Sequence, residues 1–368
     1  MTKNKLLLFH PALAPYRIDF FNELNSYFET TIYFNYGNVR DQKFNQSRLL
    51  EKLDFAPKYL SKGFTIKGRS IRFGVLLKMI KTNPDVIIVS EHSQIAILAN
   101  FYKIWKGNKV RVYTISDDSI RNSIDRKNIR KWLRKSLTKR LDGIIFNSEK
   151  VADWFGENVS PDQKRLVLPI IHDEKKFRNE LEKSLGQAEE YKSQYHLKDK
   201  KVILFVGRLV SVKNVTTLIK ATEFLVTKNW CLVIVGSGNL ENELRKEAQE
   251  SKKTEHIIFT GRLEGEKLNA WFNLADIFVL PSVHEPFGAV VNEALIAGCT
   301  VLCSNVAGAQ SLIDASNGDL FDSQNPIELA SKMDKFLKAK NETNLNTLRE
   351  NKMPFPFYEK VNFMLKQL

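Results

Sequence analysis

The chain has 368 residues, enough for two domains of ordinary size, and 43% hydrophobic content, enough for packed cores; no apolar run approaches the length that crosses a bilayer. Its net charge of +14 is uneven: residues 1–173 hold 30 Lys+Arg against 17 Asp+Glu, a net of +13, and residues 174–368 hold 26 against 25, a net of +1. A basic half beside a neutral half points to an anionic surface or acceptor met by one domain only, and no RNA- or DNA-binding motif argues for nucleic acid.

In chain order, 5–10 is a predicted strand, because its four apolar residues are too few for a signal-peptide core. Residues 11–15 form a loop, and Ile18, Phe21, Leu24 and Phe28 recur at helical spacing over 16–28. A strand follows at 31–36, then an irregular polar stretch at 37–69. A helix is expected over 70–81 with Ser70 as its cap, then a buried strand at 85–90 and a helix to about 105. The strand 109–116 opens into Asp117 and Asp118. A basic helix follows: 121–140 carries nine Lys+Arg, with Ile129, Trp132, Leu133 and Leu137 at helical spacing. Its apolar stripe suits a core, and its cations suit a membrane surface with anionic lipids. Strand 143–147, helix 148–155 and strand 165–171 close the first half. Strands alternating with helices argue for a parallel sheet covered by helices.

Residues 174–199 are charged and lack a strand pattern, so a linker with some helix is expected there. A second alternation begins at 201, with strands at 201–206, 230–235, 256–260, 276–280 and 300–304. The tail 354–368 is aromatic, then amphipathic. Cys231, Cys299 and Cys303 lie in or beside apolar segments and suit buried free thiols.

The most informative stretch is 281–293. Strand 276–280 ends at Pro281, which cannot donate to a sheet ladder. The loop carries Glu285, Phe287 and Gly288, and a helix is expected over 289–297, stopped by Gly298. Glu285 therefore sits at the carboxyl end of a strand, where open α/β sheets bind ligands. Gly288 lets a ligand approach a helix start, where free N–H groups favour anions. Glu293, more than a turn into the helix, can point back towards the same place. Two carboxylates suit a ligand rich in hydroxyls, and its phosphates need cations from elsewhere. Strand 201–206 runs into Gly207, Arg208 and Lys213, which offer a planar fork of donors and a point charge beside a helix N-terminus. Two solvated cations and two solvated glutamates are the bland alternative.

Glu285-x7-Glu293, with Phe287-Gly288 inside it, resembles the signature of glycosyltransferase family 4, the retaining group 1 enzymes that use nucleotide-sugars. The resemblance is strong over 201–325 and loose before it. It implies an α/β GT-B fold, two Rossmann-like domains facing across a cleft. The first would be 1–173, acceptor-binding and joined by the last helix at about 354–368; 174–199 would link it to a nucleotide-sugar-binding domain at 200–353. It implies that Arg208 and Lys213 face the donor diphosphate in place of a metal, in keeping with a chain that has no Asp-x-Asp triplet. Gly236, in Val235-Gly236-Ser237-Gly238, matches a family turn, and Leu263 would meet the base through its main chain. Phe287, Gly288, Ala289 and Glu293 would complete the donor site, and Glu285 would act in catalysis.

The first half departs from the family. Where many relatives have a Gly-Gly pair after strand one, this chain has a Pro15-Tyr16-Arg17 turn. Arg17 can meet an acceptor phosphate or lie on a helix surface. Where many carry a His, this chain has Asp117 and Asp118, which can contact the transferred sugar and the acceptor or cap the next turn. His10 and His284 lie near the proposed site in no metal-binding spacing. The function implied is a cytoplasmic, metal-independent hexosyltransferase, peripheral on the inner face of the membrane through 121–140. It would pass sugar from a UDP- or GDP-sugar to a glycan or lipid-linked acceptor in cell-surface polysaccharide assembly, with no cofactor. Transfer to a small soluble acceptor, or a non-catalytic nucleotide-sugar-binding subunit, are the alternatives.

Overall fold

A computed structural model describes residues 3–39, 43–61, 63, 65–66, 69–90, 93–120, 124, 135–338 and 345–368. It divides into two units: 1–170 with 358–368, and 171–357.

The first unit holds β1 (Lys5–His10), α1 (Ile18–Tyr27), β2 (Glu29–Phe34), α2 (Gln46–Leu50), β3 (Lys58–Tyr59), β4 (Thr65–Ile66), β5 (Arg69–Ser70), α3 (Val75–Thr82), β6 (Val86–Ser90), α4 (Gln94–Lys106), β7 (Arg111–Ser116), β8 (Gly143–Phe146), α5 (Glu149–Asn158) and β9 (Arg165–Val167). Seven strands form one sheet in the order β3-β2-β1-β6-β7-β8-β9, and its neighbours pair in parallel. Val86 to Val89 are fully buried, as a central parallel strand requires. Residues 358–368 belong to this unit, where the Tyr113 hydroxyl donates to the Gln367 carbonyl at 3.1 Å.

Three expectations need correction here. The stretch 37–69 is not irregular throughout, because α2, β3 and β4 lie within it. Ser70 caps no helix: it pairs with Thr65 in the small antiparallel β4–β5 ladder, and α3 begins after Gly74, whose φ of +72° sets the turn. The second strand starts at Glu29, because α1 ends at Tyr27 and the extended Phe28 turns the chain straight into it. Most of the basic segment 121–140 lies outside the described residues; the last helical turn, 135–138, is described.

The second unit holds α6 (Glu174–Lys183), α7 (Leu185–Gln194), β10 (Lys201–Val206), α8 (Val215–Thr222), β11 (Trp230–Val235), α9 (Glu241–Glu250), β12 (Ile257–Gly261), α10 (Glu266–Leu274), β13 (Ile277–Leu280), α11 (Val290–Ile296), β14 (Thr300–Ser304), β15 (Gly318–Phe321) and α12 (Pro326–Leu337); α13 (Phe357–Leu365) follows. Its parallel sheet runs β12-β11-β10-β13-β14-β15. This is the Rossmann order, so strand succession reverses between β10 and β13.

Residues 174–194 are not a free-standing linker. Leu181 and Ala188 are fully buried, and Tyr191 stacks on Trp271 of α10 with ring centroids 4.9 Å apart. Asn273 donates to the Leu181 carbonyl at 2.8 Å. The segment's mean polarity concealed this, because a few apolar residues on one side of a charged helix suffice to dock it.

Candidate active site

The loops that follow β10 and β13 leave the sheet at its switch point, and they are bonded to each other. Val283 N–H donates to the Val212 carbonyl at 3.0 Å. Asn214, in the left-handed region with φ of 52°, sends its side-chain amide to the carbonyls of Pro281 at 3.3 Å and Ser323 at 2.7 Å. A turn at Ser211–Lys213 then leads into α8.

These contacts bring Lys213 to Glu285. The Lys213 Nζ meets Glu285 Oε2 in an ion pair whose side chains are each 13% exposed. Ser282 Oγ reaches the same carboxylate oxygen at 3.5 Å. The Glu285 backbone is fixed independently: its carbonyl accepts from Gly308 N at 3.1 Å, and Phe287's accepts from Ala309 N at 2.7 Å. Phe287 is buried, and Gly288 has a φ of +99° with Leu280 so close that an added Cβ would lie 2.8 Å from it. A charged carboxylate is thus carried on a rigid loop. Buried Cys303 lies within the field of Glu285; burial first, and that charge second, push its thiol well above the ordinary range.

Arg208, on the same loop as Lys213, is half-buried. Its Nε is buried without a hydrogen-bond partner among the described residues. Buried donors are rarely left unmatched, so an anion would satisfy it. Gly207 and Gly236 bring the neighbouring turns into contact: Gly207 N donates to Val235 O at 3.0 Å. A Cβ on Gly236 would fall 1.8 Å from the Gly207 carbonyl. Leu263, half-buried, lies in the loop after β12.

Glu293 lies in the first turn of α11, which starts at Val290, rather than more than a turn inside it. Its Oε1 is 3.3 Å from His172 Nε2. Two contacts hold His172: its backbone N–H donates to Asn292 Oδ1 at 2.8 Å, and its ring stacks on Phe177 at 5.4 Å. Sequence reasoning missed His172. It stands alone after a strand, and its partner is 121 residues away, so no spacing announced it.

In the first unit, β1 and β7 bring His10, Arg17 and Asp117 together. Arg17 is 2% exposed, and its guanidinium pairs with Asp117 Oδ1. It is therefore not a helix-surface residue: the Pro15–Arg17 turn aims it inward. Asp117 remains 37% exposed, while Asp118 is buried. His10 Nδ1 lies 2.9 Å from the Ala12 carbonyl. Burial first, then the Arg17 charge, lowers the His10 pKa from 6.5 to about 4, against a smaller opposing effect of Asp117. Among the described residues, no group of three or more His, Cys, Asp or Glu is placed to hold a metal ion.

Two parallel-sheet Rossmann-like domains define a GT-B fold. A crystal structure of a glycosyltransferase from Rickettsia africae ESF-5 has the same fold, with a TM-score of 0.74, 17% identity, and coverage of 100% of this chain and 94% of that one. Residues 187–352 match the family model described as glycosyl transferases group 1. An uncharacterized glycosyltransferase of Methanocaldococcus jannaschii is 38% identical over 38% of this chain and 36% of its own length. The alpha-monoglucosyldiacylglycerol synthase of Streptococcus pneumoniae is 23% identical over 78% of this chain and 67% of its own length. The chain thus spans between about a third and two thirds of the length of these curated relatives. The likeness to group 1 glycosyl transferases thus lies over 187–352, and the structural likeness gives the chain the GT-B fold.

Proposed function

We propose that the chain transfers a hexose-type residue from a UDP- or GDP-sugar to a glycan or lipid-linked acceptor, with retention and without a metal, at the cytoplasmic face of a membrane during cell-surface polysaccharide assembly. The observation that carries this reading is the pair of cations on the β10 loop: Arg208 with an unmatched buried donor, and Lys213 held against Glu285. Both stand just before the N-terminus of α8, at the switch point of the sheet. Their charge would offset that of a departing nucleoside diphosphate. Glu293, oriented by His172, would take the ribose hydroxyls, and the Leu263 main chain would meet the base. Glu285 would sit by the transferred sugar, with Phe287, Gly288 and Ala289 shaping that wall. Asp117 would face the reacting hydroxyl with its open side, and Asp118 would help hold the acceptor.

A lipid-linked acceptor is favoured by the likeness to the streptococcal alpha-monoglucosyldiacylglycerol synthase and by the net of +13 in residues 1–173. A panel of nucleotide-sugars is scored by thermal shift, since a ligand bound to the native state raises its apparent stability. The stabilising donor is then incubated with lipid-linked and soluble acceptors, with and without chelator. Product from the lipid-linked acceptor in chelator is the expected result. Donor binding with neither transfer nor hydrolysis would favour the non-catalytic subunit. Activity lost to chelator and restored by manganese would refute metal independence. Charge reversal of Lys131, Arg134 and Lys135 tests whether 121–140 contributes to membrane attachment.

A further inference from the structure

Helices α3 and α4 pack side by side in the first unit, with large apolar residues that the described residues leave exposed. On α3, Leu77 and Ile80 are 71% and 43% exposed. On α4, Phe101, Ile104 and Trp105 share one face and are 62%, 62% and 65% exposed. The two stripes are linked at their ends. Lys106 Nζ donates to Asn83 Oδ1, the C-cap of α3, at 2.9 Å, and lies 4.8 Å from the Trp105 ring centroid. Buried Tyr102 backs Trp105, with ring centroids 5.8 Å apart. Single exposed apolar residues are ordinary, but two adjacent helices presenting five form a face that no described residue covers.

The charge around the face selects its occupant. The two helices carry Lys78, Lys81, Lys103 and Lys106 and no Asp or Glu; Lys103 pairs with Asp142 at 2.6 Å and Lys78 lies over the Tyr33 ring, which leaves Lys81 and Lys106 for the face. Exposed aromatic and aliphatic groups rimmed by lysines, with tryptophan at the boundary, suit a bilayer interface with anionic headgroups. A second copy of the chain would set these lysines against one another, because the helices offer no acidic complement.

We propose that the α3–α4 face inserts into the surface of an anionic bilayer, with Leu77, Phe101 and Trp105 entering the headgroup boundary and Lys81 and Lys106 meeting lipid phosphates. The inference rests on the membrane-facing reading above but assigns attachment to residues outside 121–140. No covalent step is involved.

The full chain is sedimented with phosphatidylcholine vesicles, with and without phosphatidylglycerol. The parent protein should bind the anionic vesicles and largely leave the neutral ones. A Leu77→Ser/Phe101→Ser/Trp105→Ser variant should lose at least tenfold in vesicle affinity, even at low salt. Lys81→Gln/Lys106→Gln should lose roughly twenty-five-fold, about fivefold for each lysine. These exposed substitutions should leave the thermal midpoint and the donor-induced shift unchanged, which separates lost docking from misfolding. Unchanged vesicle binding by the apolar variant would overturn the assignment, as would a parent dimer that the same variant dissociates. Transfer from the donor to the lipid-linked acceptor dispersed in detergent, without vesicles, is measured on every variant. Its absence even in the parent would refute the proposed activity, whereas turnover with vesicle binding blind to the α3–α4 face would refute only the docking.

Discussion

Lys213 and Glu285 lie 72 residues apart in sequence, and their side chains form an ion pair that is largely withdrawn from solvent. Each is the other's counter-charge, so removing one leaves the other buried and unmatched. Glu285→Gln should lower kcat about tenfold or more, the size of a lost charge-assisted hydrogen bond, while nucleotide affinity changes little. Lys213→Ala should weaken nucleotide binding by a similar factor and also lower kcat. Calorimetry with the nucleotide and a product assay separate these outcomes. Equal loss of affinity and turnover in both variants would show that the pair does not divide its work.

Glu293 is held by His172, so its contribution depends on a residue that need not touch the ligand. Glu293→Gln should raise KM about tenfold with kcat nearly unchanged, because ribose contacts act alike in ground and transition states. His172→Phe keeps the stack on Phe177 and removes the contact with Glu293. It should raise KM by a smaller factor in the same direction. A His172→Phe variant with a normal KM and a reduced kcat would contradict this positioning role.

Gly236 tests the join between the β10 and β11 turns. An added methyl would strike the Gly207 carbonyl, and the φ of +155° already disfavours a side chain. Gly236→Ala should displace the Arg208 loop and cost about 2 kcal/mol or more of stability, within the range of severe backbone substitutions. A denaturant melt reads that loss, and nucleotide affinity should fall with it. A variant of parental stability would mean that the two turns separate freely.

His10 supplies a pH dependence. Its folded pKa, about 4, lies below the ordinary 6.5, so the unfolded chain binds the proton more readily. Stability therefore falls as pH drops from about 6.5 towards 4 and is fully present above that window. The full effect is on the order of 3 kcal/mol. Chemical denaturation at pH 7 and at pH 4.5 should show the loss in the parent protein. His10→Phe should show a smaller loss over the same range. An identical pH slope in both proteins would rule His10 out as its source.

Much of the fold was legible because its signals are local. Apolar runs such as 86–89 and 231–235 are buried along their whole length, and continuous Val, Ile and Leu in short segments suits central parallel strands. The turn glycines and the Glu285-x7-Glu293 spacing were equally visible, since one strand–loop–helix unit contains them. Helix starts were less legible. Ser70 is an attractive cap, but pairing with Thr65 claims its backbone, and Gly74 ends the turn instead.

The sequence by itself determined most strands of the two sheets, though not the short β3 or β15, and which loops at their strand ends carry Arg208, Lys213 and Glu285. Only the tertiary structure decided how distant groups pair: Arg17 with Asp117 across 100 residues, His172 with Glu293 across 121, and Arg178 with the Arg349 carbonyl across 171. Such pairings depend on how strands order themselves in the sheet, and no local periodicity encodes that order. The same holds for α3 and α4. Their sequences are apolar on more than one side, and only packing against the rest of the first unit reveals that the side bearing Leu77, Phe101 and Trp105 is the one left uncovered.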